Sequence, residues 1–211
     1  MVRVRVRQHV NPLSQKYSQP LTPPDWQTIY GQPNQPIHLD IGCARGRFVL
    51  EMAKHYPEIN FLGVEIRQPL VDEANERRNL QQLNNLHYLF CNINTALITL
   101  LNSLPSDRLQ WVSIQFPDPW FKQRHMKRRV VQPPLVNALA NQLVAGGKIF
   151  LQSDIQLVAE QMRDRFLTHP SLQQTHPELW LEENPFPIPT EREIATQAKP
   201  MPVYRVLIAK S

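Results

Sequence analysis

Four polar side chains lie just beyond runs of apolar residues in this sequence: Asp40 within IHLDIG, Glu65 within NFLGVEI, Asn94 shortly after LHYLFC, and Asp118 after LQWVSIQF. If each run is a parallel strand, all four face one crevice, because ligands of open α/β sheets bind beyond the carboxyl ends of the strands. Carboxylates and an amide are acceptors and donors for hydroxyl, ammonium and base-edge groups. The stretch Asp40-Ile41-Gly42-Cys43-Ala44-Arg45-Gly46 supplies a tight turn, in which Gly42 and Gly46 permit close approach of the backbone to a ligand. Glu65, nineteen positions past Gly46, stands where a carboxylate accepts both hydroxyls of an adenosine ribose.

The glycine pattern narrows the ligand. The G-x-G-x-x-G fingerprint of dinucleotide sites is missing, so a pyrophosphate has no second glycine to approach. S-adenosylmethionine, an adenosine ligand without phosphates, fits better than a nicotinamide dinucleotide. Asp40 then faces its ammonium and sulfonium side. Asn94 meets the adenine edge or serves only as a helix cap.

The richest stretch is QFPDPWFKQRHMKRR, residues 115–129. Pro117 and Pro119 stiffen the backbone on either side of Asp118, and Trp120 and Phe121 add aromatic planes. Lys122, Arg124, Lys127, Arg128 and Arg129 follow, with His125 and Met126 among them. A cationic run beside a candidate active site suits a polyanion, because phosphate contacts supply much of nucleic-acid affinity and position the substrate.

Positioning these residues requires strands alternating with helices. The apolar spacing predicts strands at 37–42, 60–66, 86–91, 109–116 and 148–153, with helices over 48–56, 69–83 and 95–104 between the first four. A further helix begins at Pro134 and ends before Gly146 and Gly147. Another carries Ile155, Val158, Met162 and Phe166. Such alternation requires right-handed crossovers and a doubly wound, mostly parallel sheet. A closing antiparallel strand is expected at 203–210, paired with a segment near Leu179 to Glu182. Residues 1–35 read as a basic, proline-rich extension, whose Arg3, Arg5 and Arg7 alternate with valines as in an edge strand; residues 36–211 form the main domain.

PDPWFKQRHMKRR, the LDIG and GVEI strand ends, Ser153-Asp154 and Thr190-Glu191-Arg192-Glu193 together resemble the tRNA (guanine-N7)-methyltransferase family, over roughly residues 37–210. The resemblance implies a class I methyltransferase fold and methylation of N7 of a variable-loop guanosine in tRNA, at position 46 in the tRNA's own numbering. It implies cofactor contacts at Asp40, Gly42, Glu65, Asn94 and Asp118, with Asp118 as the catalytic carboxylate. It also implies substrate contacts at Lys122, Asp154, Thr190 and Glu193, and an RNA-binding segment from Arg124 to Arg129. The sequence departs from the family pattern at Ala44, where a glycine is frequent, at Asn94, where an acid is frequent, and at Arg192, where an aromatic residue is usual.

Composition sets outer limits. At 211 residues and 42% hydrophobic the chain suits one domain, and a formal charge of +5 favours an anionic partner. No run approaches a membrane span, and the N-terminus lacks the apolar segment of a signal peptide, so a cytoplasmic protein is expected. Cys43 and Cys91 read as reduced thiols with no metal role. Competing readings are an RNA amino-methyltransferase acting on adenine or cytosine, a non-catalytic RNA-binding module, and a dinucleotide oxidoreductase. Monomer and homodimer are equally compatible with the sequence.

Overall fold

The computed structural model describes residues 10–211. The alternating valines and arginines at positions 2–7 lie outside the described residues. From the N-terminus, a short 3-10 turn at Gln15–Tyr17 and helix α1 (Trp26–Ile29) precede β1 (Ile37–Ile41), α2 (Arg47–His55), β2 (Asn60–Glu65), α3 (Gln68–Leu80) and β3 (Leu86–Phe90). Then come α4 (Ile93–Ser103), β4 (Leu109–Gln115), a 3-10 helix at Gln123–Arg128, α5 (Pro133–Gln142) and β5 (Lys148–Ser153). The chain closes with α6 (Gln156–Leu167), β6 (Leu172–Gln174), α7 (Glu191–Gln197) and β7 (Tyr204–Lys210).

The seven strands form one sheet in the order β3-β2-β1-β4-β5-β7-β6, parallel from β3 to β5 and antiparallel at β7 and β6. Every residue of β1 and β2 is buried, as expected of strands covered on both faces by crossover helices. One core lies beneath α4, α5 and α6, the other beneath α2 and α3. The strand order reverses between β1 and β4, so the crevice of the topological switch opens beyond their carboxyl ends.

Local chemistry sets the helix starts. Asn92 caps α4 by accepting from the Asn94 N–H, and Thr190 caps α7 by accepting from the Glu193 N–H. Two prolines open α5, where their missing N–H groups cost nothing.

One finding revises the sequence reading. The sixth strand is Leu172–Gln174, while the segment at 179–182 meets Arg205 without forming a strand: the Leu181 N–H donates to the Arg205 carbonyl and the Glu182 carbonyl accepts from the Arg205 guanidinium. Leu172 is the buried anchor of the true strand, and three residues are too few for an alternation signal to register. The proline-rich segment is also tied to the core: Trp26 and Tyr30 are buried, and the Trp26 indole N–H donates to Ser103 Oγ at 3.1 Å.

Candidate functional site

The loop after β1 carries three left-handed residues: Gly42 (φ 85°), Ala44 (φ 51°) and Gly46 (φ 67°). Its glycines do different work. A Cβ on Gly42 would meet nothing within 4 Å, so this backbone faces open space, whereas one on Gly46 would collide with the Tyr88 ring at 2.2 Å. Gly42 therefore leaves its side of the loop open, and Gly46 is a packing glycine.

Asp40 is buried at the end of β1. Ser113 Oγ donates to its Oδ1 at 2.5 Å and Gln115 Nε2 donates at 3.3 Å. Desolvation raises its pKa to about 6, against those hydrogen bonds, with repulsion from Glu65 adding to the rise. Because the Ser113 hydroxyl donates to Asp40, it must accept from His38 Nε2, 2.9 Å away, which fixes the His38 tautomer. Burial lowers the His38 pKa to about 3 and keeps the ring neutral.

Glu65 is 4% exposed. Its oxygens accept from the Ala44 N–H at 3.0 Å and from the Arg67 N–H at 3.1 Å, and the Arg67 guanidinium grips them with two bonds of 2.9 Å. Arg67 also feels the charge of Asp118, so the ends of β2 and β4 meet electrostatically at this guanidinium.

At the end of β3 the structure distinguishes two asparagines. Asn94 is exposed in the first turn of α4, whereas Asn92 is buried, with its amide donating to the carbonyls of Pro12 (2.8 Å) and Tyr17 (3.2 Å). A cavity of about 420 Å³ opens beside it, where residues 16–22 pass the edge strand. Asn92 is the strand-end polar group that the sequence reading passed over. Its signal was the capping position itself, the last polar residue before the helical apolar spacing begins.

Asp118 is exposed on its proline-flanked turn. Phe116 (φ 49°) and Trp120 (φ 42°) bracket it in left-handed backbone, which is strained for bulky side chains. Arg129 holds the turn: it is 5% exposed and donates to the carbonyls of Pro119 (2.7 Å) and Trp120 (3.4 Å). Its guanidinium is directed into the protein, apart from Lys122, Arg124 and Lys127, which are exposed. His125, Met126 and Arg128 are half-buried. Arg128 lies over the Trp120 ring at 4.9 Å, and His125 meets that ring edge-on at 5.8 Å. Partial desolvation and the Arg128, Arg124 and Lys122 charges lower the His125 pKa.

The far wall comes from β5 and the C-terminal segment. Asp154 pairs with Arg192, so this departure from the family pattern partners another candidate site residue. Phe186 packs among His38, Phe48, Trp111 and Phe150 and anchors the loop leading to α7. Thr190 begins that helix. Glu193, 1% exposed, accepts from Arg205 Nη2 (2.7 Å), Asn184 Nδ2 (2.8 Å) and Gln152 Nε2 (3.2 Å). Gln152 also donates to Gln115 Oε1 at 2.7 Å, so side chains link Glu193 through Gln152 and Gln115 to Asp40. A T-x-x-E sequence would ordinarily place the Glu side chain back on its own cap; here the buried Arg205 draws it inward.

A glycine backbone open to a ligand, a buried acid at the end of β2 and another at the end of β1 fit an adenosine cofactor carrying positive charge. Among the described residues no cluster of His, Cys, Asp and Glu is suited to a metal ion, and no helix is long and apolar enough to cross a membrane.

Fold and site together define a class I methyltransferase. The chain is similar in fold to precorrin-6y C5,15-methyltransferase from Geobacter metallireducens GS-15, with a TM-score of 0.54 at 12% identity, covering 88% of this chain and 85% of that one. Residues 34–206 match the family model described as putative methyltransferase. The tRNA (guanine-N(7)-)-methyltransferase of Microcystis aeruginosa (strain NIES-843 / IAM M-2473) is 62% identical over 207 residues, 98% of either chain. That of Trichormus variabilis (strain ATCC 29413 / PCC 7937) is 59% identical over 207 residues, 98% of this chain and 96% of that one. The chain belongs to the tRNA (guanine-N7)-methyltransferase family.

Proposed function

We propose that this protein methylates N7 of a guanosine in tRNA, in the variable loop, with S-adenosylmethionine as donor. The observation that carries the reading is the exposed Asp118 on a clamped turn, coupled through Arg67 to the buried Glu65 and followed directly by exposed cations. Glu65 and the Gly42 backbone would hold the adenosine part, and Asp40 the ammonium side. The bound cofactor supplies an electrophilic methyl group on a positively charged sulfur.

Guanine N7 is an acceptor with an exposed lone pair, so it needs no base to remove a proton. The work left to Asp118 is orientation: it accepts from the N1–H and N2–H edge of guanine and offsets the positive charge growing on the purine. Lys122, Arg124 and Lys127 bind the RNA backbone, while Asp154, Thr190 and Glu193 shape the far wall of the guanine pocket, Glu193 through its partners. Residues 36–211 carry the catalytic domain, with residues 10–35 tied to it through Trp26 and Tyr30, and the protein works in the cytoplasm.

The test is incubation with labelled S-adenosylmethionine and total tRNA, followed by nucleoside analysis. 7-Methylguanosine is the expected product. Methylated adenosine or cytidine instead would establish an amino-methyltransferase, and absence of any labelled nucleoside would overturn the enzymatic reading.

A further inference from the structure

We propose that Phe121 is a stacking wedge, which takes the place guanine leaves when the target guanosine is drawn out of the RNA stack and rests on the neighbouring base. This deepens the reading above and depends on it. Guanine N7 is out of reach of side chains in a paired A-form helix, so an enzyme acting there draws the nucleotide out and must oppose its return.

Among the described residues with large exposed apolar side chains, Phe121 is the sole aromatic, at 69% exposure. It stands three positions after Asp118, a span of at most about 10 Å of chain, and is followed by the exposed Lys122, Gln123 and Arg124. An aromatic face beside cations is the arrangement that binds single-stranded nucleic acid, with the charges on the backbone and the ring on a base.

Two features of the turn show that this exposure is built in. The first is the division of labour between adjacent aromatics. Arg128 over its ring and the His125 edge already engage Trp120, which makes it a structural support, whereas the ring of Phe121 is offered to solvent. The second is the backbone. The left-handed Phe116 and Trp120 turn the chain sharply on both sides of Asp118, and Arg129 fixes the result by bonding the two carbonyls immediately before Phe121. Phe121 is thus presented from a rigid base, and few rotatable bonds need ordering when it stacks.

The test uses the full chain and a tRNA carrying 2-aminopurine next to the target guanosine. Without cofactor, binding of the unsubstituted protein should raise the fluorescence as the neighbour loses its stack on guanine. Phe121→Ala should bind with little rise, and Phe121→Trp should restore it. In single turnovers at saturating tRNA, Phe121→Ala should be slower by about 5- to 150-fold, the range base–aromatic stacking spans on alanine substitution. On an RNA with an abasic site beside the target, where the stack is already broken, the loss should shrink to less than about threefold. An unchanged fluorescence rise, or an equal rate loss on both RNAs, overturns the wedge. If the unsubstituted protein makes 7-methylguanosine while Phe121→Ala matches it in both readouts, the wedge alone fails. If it makes none, the proposed function fails and the wedge with it.

Discussion

At the ends of β1 and β2 the charged groups are buried and already hydrogen-bonded, whereas beyond the end of β4 they stand largely in solvent, on and after a turn bracketed by the strained Phe116 and Trp120. Asp40 and Glu65 are each 4% exposed; Ser113 and Gln115 donate to Asp40 Oδ1, and Ala44 and Arg67 donate to the Glu65 oxygens. Asp118, Lys122, Arg124 and Lys127 are exposed. On the function proposed above, the contrast follows from the ligands. A small cofactor is taken out of water entirely, so its partners must be desolvated and held beforehand. An RNA stays hydrated and contributes its own charge, so the groups that meet it need reach, and only their platform must be rigid. Arg129 belongs by sequence to the second region and by burial to the first.

The largest expected effect separates chemistry from cofactor binding. Asp118→Ala should slow single-turnover methylation at least about a hundredfold, the scale of losing a group that orients and stabilises the transition state. Cofactor affinity, measured by titration calorimetry, should change far less. Near-normal turnover would remove Asp118 from the mechanism.

Next, replacing Lys122, Arg124 and Lys127 together by alanine should flatten the salt dependence of tRNA binding, with the log–log slope falling by about 0.7–0.9 for each phosphate left without its cation. Arg129→Ala should leave that slope alone. It should instead lower stability by about 2 kcal/mol, because the Pro119 and Trp120 carbonyls lose their buried donor. Filter binding across a salt series and thermal unfolding test the pair, and a slope change in Arg129→Ala would return this residue to the RNA surface.

The pH dependence divides the same way. With a pKa near 6, Asp40 must lose a proton to receive a cationic ligand in more acidic solution. S-adenosylmethionine affinity should therefore fall about tenfold per pH unit below about pH 6. The rate at saturating cofactor should stay flat from about pH 6.5 to 8.5, since no general base takes part. The unliganded protein carries the opposite signature. A carboxyl whose folded pKa lies above its usual 3.8 stabilises the fold when protonated, and that contribution is lost as pH rises through 6. Asp40→Asn should accordingly raise stability at pH 7.5 by up to about 2 kcal/mol, with the gain vanishing near pH 4, while cofactor binding fails. An affinity independent of pH would place the cofactor's positive charge elsewhere.

The smallest effect concerns the loop itself. Ala44 sits at φ 51°, a conformation costing an L-residue about 1 kcal/mol that glycine avoids. Ala44→Gly should raise the melting temperature by about 2 °C, and an unchanged or lower value would show that the loop holds no such strain.

The sequence by itself determined the alternation of strands and helices, because apolar spacing is a local signal, and with it the strand ends where Asp40, Glu65 and Asp118 stand. It also determined the proline-flanked turn, whose stiffness is covalent. Tertiary structure alone decided which of several similar side chains face inward. Arg129 and Arg128 are adjacent cations, yet only Arg129 is drawn to the carbonyls of its own turn; a guanidinium on a long flexible stem can follow either course, and the choice depends on what lies opposite. Glu193 meets Arg205, Asn184 and Gln152 from three other parts of the chain. Asn92 rather than Asn94 is buried because the N-terminal segment crosses over it and offers carbonyls. Partners that distant in sequence leave no local periodicity, so only the packed sheet brings them together.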